Sequence, residues 1–286
     1  MDGQGRPRYK ESVPEAPPTL DLLSAIILGA LQGVAEFLPI SSSGHLALGQ
    51  VLLDVDPAVG GLRLNVLLHA GTLLAVLVVF RGDVLALLRC LLPGGDTTRR
   101  RMVAAIIVGS LPLAFALVPA VEGWVVSMER SLTAVGVAFC VTAIILGLTH
   151  RASPPADDAA APPSVPQALL IGLAQVIAIA PGISRSGSTI AAALGLGLGR
   201  DRAARFSFLL SLPAVGAATL KTALEFMKAS PEVSGSAIPY IAGFVVSFTV
   251  GLASLTGLLR LIGRFGMLPF VPYLAVIGLL SIFLAR

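Results

Sequence analysis

Charge is scarce in this chain. Asp, Glu, Lys and Arg supply 13% of its 286 residues, about half the roughly 25% usual in soluble domains. Aromatic residues are few, at 6% with a single tryptophan, and there are only two cysteines. The cysteine count excludes a disulfide-stapled scaffold, and Cys90 and Cys140, each inside an apolar run, read as small core residues. The shortage of charge excludes a disordered chain and a coiled coil. What fills the sequence is apolar: 55% of residues are hydrophobic before the 30 glycines are counted, and mean hydropathy is +0.89. A soluble globule of this size cannot bury that much apolar surface. The chain therefore reads as an all-α polytopic membrane protein. Its net charge of +4 bears on orientation across a bilayer and calls for no nucleic-acid partner.

Residues 1–18 are polar and rich in proline, without the basic-then-apolar pattern of a signal peptide, and read as a disordered arm. Six apolar runs approach the roughly 20 residues that a full span takes: 64–80, 102–119, 131–149, 203–224, 237–257 and 268–285. Two further apolar stretches are interrupted, 20–53 around Pro39–Gly44 and 167–199 around Pro181–Gly187. A break of that composition in the middle of an apolar stretch predicts two half-length helices, a re-entrant hairpin. The two hairpins are copies of each other. A shift of 143 residues, half of 286, places Gly29, Gln32, Ala35, Ile40, Ser41, Ser43 and Gly44 on identical residues, seven matches in 16 positions. The chain thus divides into a first repeat at 19–149, a linker at 150–166 and a second repeat at 167–286.

One hairpin and three full spans per repeat force the second repeat to be inverted, because three is odd. The charges agree. Arg81, Arg89, Arg99, Arg100 and Arg101 mark the loop 81–101 as cytoplasmic, and Arg200, Arg202, Arg205, Arg260 and Arg264 fall on the same side by parity. The loops 120–130 and 225–236, poor in Lys and Arg, fall outside, as does the N-terminal arm. The hairpins then enter from opposite faces, and their tips can meet inside the bilayer.

Glu36, His45 and Arg185 are ionisable residues placed at these breaks. A charge near the bilayer centre costs about 2.5–3.5 kcal/mol, so each needs a partner or a task. One reading makes Glu36 and Arg185 a buried pair that only clips the repeats together. The other makes the tips an anion site. Ser41, Ser42 and Ser43 precede one half-helix, and Ser184, Ser186 and Thr189 flank Arg185 at the other. Helix starts present free N–H groups and a positive dipole end, and arginine adds a fork for phosphate oxygens. The stretch from Gly182 to Thr189 lacks the lysine of a P-loop and does not follow a strand. Ser43-Gly44-His45 with Ser184-Arg185 is similar to lipid phosphatases related to phosphatidic acid phosphatase, but Ala191 stands where that family has its second histidine.

Gln32-Gly33-Val34-Ala35-Glu36-Phe37-Leu38-Pro39-Ile40-Ser41-Ser42-Ser43-Gly44-His45 resembles the first signature of the bacterial undecaprenyl-diphosphatase family, the bacitracin-resistance proteins. Pro181-Gly182-Ile183-Ser184-Arg185-Ser186-Gly187-Ser188-Thr189 resembles its second, and the resemblance runs from about residue 20 onward. It implies hydrolysis of undecaprenyl pyrophosphate to undecaprenyl phosphate and inorganic phosphate, which recycles the lipid carrier of cell-wall synthesis. It also implies an inverted repeat with two re-entrant hairpins, a homodimer in the bacterial inner membrane, and a site open to the extracytoplasmic side. Gln32 occupies the first position of the family's Glu/Gln-x-x-x-Glu pattern, so Glu36 is the only carboxylate of that pair.

Phosphoanhydride cleavage asks for a nucleophile, charge stabilisation and proton management. Arg185 is expected to grip phosphate oxygens, and Ser42 to be the nucleophile with His45, three residues on, as its base. Glu36 is expected to orient His45 or, with water, to hold a divalent cation, Mg or Ca. The alternative makes His45 the nucleophile and Ser42 a ligand. Gln32, Ser41, Ser43, Ser184, Ser186 and Thr189 are expected to contact substrate. A polyprenyl-phosphate flippase is the rival class, since transporters share the inverted-repeat plan, but it has no use for a nucleophile. His69 and Asn65 read as helix-packing residues. His150, Trp124, Tyr240 and Tyr273 read as membrane-boundary residues, and the glycines from Gly195 to Gly199 as a close helix contact.

Overall fold

A computed structural model describes residues 20–55, 62–149, 161–228 and 236–285. The arm 1–18, His150 and most of the linker lie outside the described residues. Every regular element among those described is helical. The first interrupted stretch forms α1 (Leu22–Ala35) and α2 (Ser42–Leu52), and the second forms α8 (Val165–Ile177) and α9 (Arg185–Gly195). At 11 to 14 residues each is about 16–21 Å long, well short of the roughly 30 Å hydrocarbon core. Local chemistry sets their starts. Asp21 accepts from the Ser24 amide and Ser164 forms a capping box with Gln167. Its hydrogen bonds with Ser24 hold the Asp21 carboxyl below the usual carboxylate range.

The other helices are α3 (Leu62–Val79), α4 (Arg81–Arg89), α5 (Thr97–Ser110, continued as a 3-10 turn over Leu111–Leu117), α6 (Pro119–Glu129), α7 (Leu132–Leu148), α10 (Arg200–Lys228), α11 (Ile238–Phe265) and α12 (Val271–Leu284). All six expected spans are helical, but among the described residues only Thr97–Leu117, Arg200–Leu224 and Ile238–Phe265 are by themselves long and apolar enough to cross a bilayer. Two more runs qualify if each is joined to a neighbour across a sharp corner: α3 with α4 at 74° and α6 with α7 at 99°. Residues 120–130, expected as a loop, are mostly helix, because Pro119 and Glu122 suit a first turn and no glycine or proline interrupts before the Arg130 corner apart from Gly123.

The core forms where α11 packs against α1 and α3, α12 against α7, and α5 against α8. Small residues make these crossings close. A Cβ at Gly172 of α8 would lie 2.2 Å from the Gly109 carbonyl oxygen of α5, and one at Gly29 of α1 would lie 2.6 Å from that of Gly243 in α11. Such contacts replace the hydrophobic drive that lipid removes. The outer faces stay apolar: Ile144, Leu148, Leu279 and Phe283 are all more than 60% exposed. Apolar exposure on this scale marks a lipid-facing surface, and the protein is a polytopic membrane protein.

Candidate active site

The two breaks meet. Glu36 ends α1 and Arg185 begins α9, and the Arg185 guanidinium donates to Glu36 Oε1 at 2.5 Å. Ser186 Oγ donates to the Leu38 carbonyl, and a Cβ on Gly44 would stand 2.9 Å from the Gly182 Cα. Gly182, at φ +95°, needs its missing side chain both for that conformation and for the approach of Val135 and Ala138 from α7. The tips are capped alike. Ser41 Oγ accepts from the Gly44 amide and Ser184 Oγ from the Gly187 amide, so the remaining amides of both helix starts keep their positive ends toward the break.

A cavity of about 300 Å³ lies at this junction. Glu36, Ser41, Ser42, Ser43, His69, Ser184, Arg185 and Ser186 line its polar part, and Leu113, Ala178, Ile179, Ile183, Ala214, Val215 and Ala218 its apolar part. Glu36 organises the polar part although it is only 8% exposed. Its Oε1 takes Arg185. Its Oε2 accepts from Ser42 Oγ at 2.6 Å and from Gln32 Nε2 at 3.2 Å. Ionised carboxylates make short hydrogen bonds of this kind. Gln32 does not line the cavity. It is fully buried, braces Glu36 from behind and reaches Thr72 on α3 at 3.5 Å.

His45 lies elsewhere than expected. Its Nδ1 donates to the Ser41 carbonyl at 2.7 Å, and its Nε2 meets the Tyr273 hydroxyl of α12, also at 2.7 Å. The ring is 4% exposed, stacked on Tyr273 with Phe139 against it edge-on. Both nitrogens are occupied, and Ser42 turns instead to Glu36. Three residues on a helix start bring two Cβ atoms to one side, but distant neighbours decided where the functional groups point. His45 holds the carbonyl of Ser41, which sits at φ 71°, a strained region for a side-chain-bearing residue and one associated with functional sites. Tyr273, expected as a boundary residue, is its partner. Thr189 is also turned away: its hydroxyl contacts the Arg185 carbonyl and Ser207, and it does not line the cavity.

Two residues missed in the sequence belong here. His69 of α3 faces the cavity with Nε2 at 4.0 Å from Glu36 Oε2. Thr142 of α7 accepts from the Ser184 amide at 3.2 Å and donates to the Gly182 carbonyl at 2.9 Å, fixing the second tip. Neither had a local signal beyond being polar in an apolar run.

A divalent cation held at Glu36 would take most of its ligands from water and substrate phosphate oxygens. No three His, Cys, Asp or Glu side chains converge among the described residues, and both Glu36 oxygens are already bonded. Hard cations need six or more oxygen ligands.

A buried carboxylate that holds a hydroxyl on one oxygen and a guanidinium on the other, between two helix starts, is a polar site set inside a polytopic membrane protein. The chain belongs to the family described as bacitracin resistance protein BacA, whose model matches residues 25–280. Relatives named undecaprenyl-diphosphatase are similar over nearly their whole length. One from Methanosphaera stadtmanae is 39% identical, covering 93% of this chain and 99% of its own. One from Trichlorobacter lovleyi is 40% identical, covering 91% and 96%.

Proposed function

We propose that this protein hydrolyses undecaprenyl pyrophosphate to undecaprenyl phosphate and inorganic phosphate, recycling the carrier lipid of cell-wall synthesis and conferring bacitracin resistance. The observation that carries the reading is the Ser42 hydroxyl on the Glu36 carboxylate, itself clamped by Arg185, in a cavity with one polar and one apolar part. The terminal phosphate lies against Arg185 and the two tips, and the isoprenoid chain leaves past Leu113, Ile179 and Val215. Ser42 Oγ attacks the terminal phosphorus and its proton passes to Glu36 Oε2. The Oγ–P bond forms, the bond from phosphorus to the bridging oxygen breaks, and that oxygen keeps the electron pair and departs in the polyprenyl phosphate. Arg185 and the helix-start amides stabilise the charge that spreads over the phosphoryl oxygens. His45 positions Ser42 through the Ser41 carbonyl. The direct test is inorganic phosphate release from undecaprenyl pyrophosphate by the purified full chain in detergent. Release is expected; a protein that binds the lipid without releasing phosphate would revive the flippase.

The same reading includes an inverted repeat of six spans and two re-entrant hairpins, working as a homodimer in the bacterial inner membrane. Ser42–Leu52 and Arg185–Gly195 have the same length and start 143 residues apart, which supports the repeat. Two ion pairs support the sidedness. Arg205 of α10 pairs with Asp83 of α4, and Lys221 at the other end of α10 pairs with Glu122 of α6. The arginine-rich segments 81–101 and 200–205 thus share one end, the cytoplasmic end by charge, and α6 lies at the other. A second cavity, beside the first, runs to Glu129 and Arg130 at that outer end, which suits a site open outward. Cysteines placed at Thr98 and Ser127 are expected to differ in intact cells: a membrane-impermeant thiol reagent labels position 127 and spares 98. Equal labelling would sink the topology.

A further inference from the structure

We propose that His69 is the base of the second half-reaction: it takes the proton of the water that cleaves phosphate from Ser42 and passes it outward through the larger cavity. The inference rests on the phosphatase reading above.

Three observations meet at this ring. First, Nδ1 lies 2.7 Å from the Asn65 carbonyl oxygen one turn earlier. A carbonyl only accepts, so the proton of the neutral ring sits on Nδ1 and Nε2 carries the free pair, the arrangement that readies an imidazole as a base. Second, Nε2 points to the site, 4.0 Å from the Glu36 oxygen that also takes Ser42 Oγ. Nε2 is therefore within reach, across one bridging water, of the carboxylate that holds Ser42. Third, His69 also lines the adjoining cavity of about 650 Å³ together with Asn65, Asp54 and Glu129. With Ser43 it lines both cavities, and the second carries Asp54, Glu129 and Arg130 farther out. His45 cannot take this task, since both its nitrogens are occupied and it lines neither cavity.

The step balances. Water oxygen attacks the phosphorus of phosphoserine and loses one proton to His69 Nε2. The P–Oγ bond breaks with its electron pair left on Oγ, and Oγ recovers the proton that Glu36 stored in the first half-reaction. Inorganic phosphate, neutral Ser42 and ionised Glu36 result, and the imidazolium gives its extra proton to the carboxylates and water of the outer cavity. Charge is conserved and no further reactant is needed.

Removal of this base slows only the second half. His69→Ala and His69→Gln, assayed as full-length protein in detergent with undecaprenyl pyrophosphate, are expected to lose about a hundredfold in kcat, the scale of general base catalysis. KM should fall or stay level, because lipid still enters and reacts. Acid quench and peptide mass spectrometry should find phosphate accumulating on Ser42 toward one per chain, and free imidazole should restore part of the turnover of His69→Ala. His69→Gln keeps an amide near the Asn65 carbonyl and guards against a collapsed cavity. A kcat within threefold of the unaltered protein in either variant overturns the proposal, and so does a large loss with no phosphoserine and no rescue. If the unaltered protein itself releases no phosphate, it is the phosphatase reading that fails.

Discussion

Ser42→Ala and Glu36→Gln are each expected to lower phosphate release by about a thousandfold or more, the scale for losing a nucleophile or the group that activates it. The reason is the 2.6 Å bond from Ser42 Oγ to Glu36 Oε2. Alanine removes the attacking oxygen. Glutamine keeps the shape but has no carboxylate to receive the proton, and it leaves Arg185 without its counter-charge. Because the two residues act as a unit, the double variant should be little worse than the poorer single one. Lipid binding should persist in Ser42→Ala, since Arg185 and the amides of both tips remain. The measurement is kcat from phosphate release beside a binding assay on the same protein. Should Ser42→Ala keep a tenth of normal activity while acid-labile phosphate is trapped on His45, the histidine is the nucleophile and the serine a ligand. His45→Ala should itself be impaired through geometry, and Tyr273→Phe, which removes only the hydroxyl partner of His45, should show a milder form of the same defect.

Arg185 carries the second large effect. Lysine keeps the charge but loses the planar fork, so Arg185→Lys should lose at least about tenfold in turnover, near 1.4 kcal/mol of barrier. Arg185→Ala goes further. It leaves a carboxylate that is 8% exposed without its partner, and breaking a buried pair from one side costs about 3–5 kcal/mol. Thermal unfolding in detergent should register that loss. Combining Arg185→Met with Glu36→Gln removes both charges and should recover much of the stability but none of the activity. A pair that only clips the repeats together predicts the opposite, with activity following stability; that result would falsify a catalytic role for the arginine.

Much of this was readable from residue order. The scarcity of charge and the apolar runs determined that the chain is helical and lies in a membrane, because a bilayer leaves backbone groups no partners but their own. Proline, glycine and serine at 39–44 and 181–187 determined where two apolar stretches break, because those residues cap and interrupt helices through contacts within a few positions. The charged residues stranded at the breaks marked the site for the same local reason. Only the tertiary structure decided which side chains face the cavity. His45 sits inside the sequence signature, yet Phe139 and Tyr273, nearly 100 and more than 200 residues away, turn it aside. His69 sits in an unremarkable apolar helix, yet the packing of α3 against α10 and α11 brings it to Glu36. Gln32 became a brace and Thr142 a support for the second tip through bonds spanning 40 residues or more. A capping motif is settled by neighbours in the chain. The direction of an imidazole is settled by whichever distant groups fill the space around it, and their positions exist only once the helices have packed.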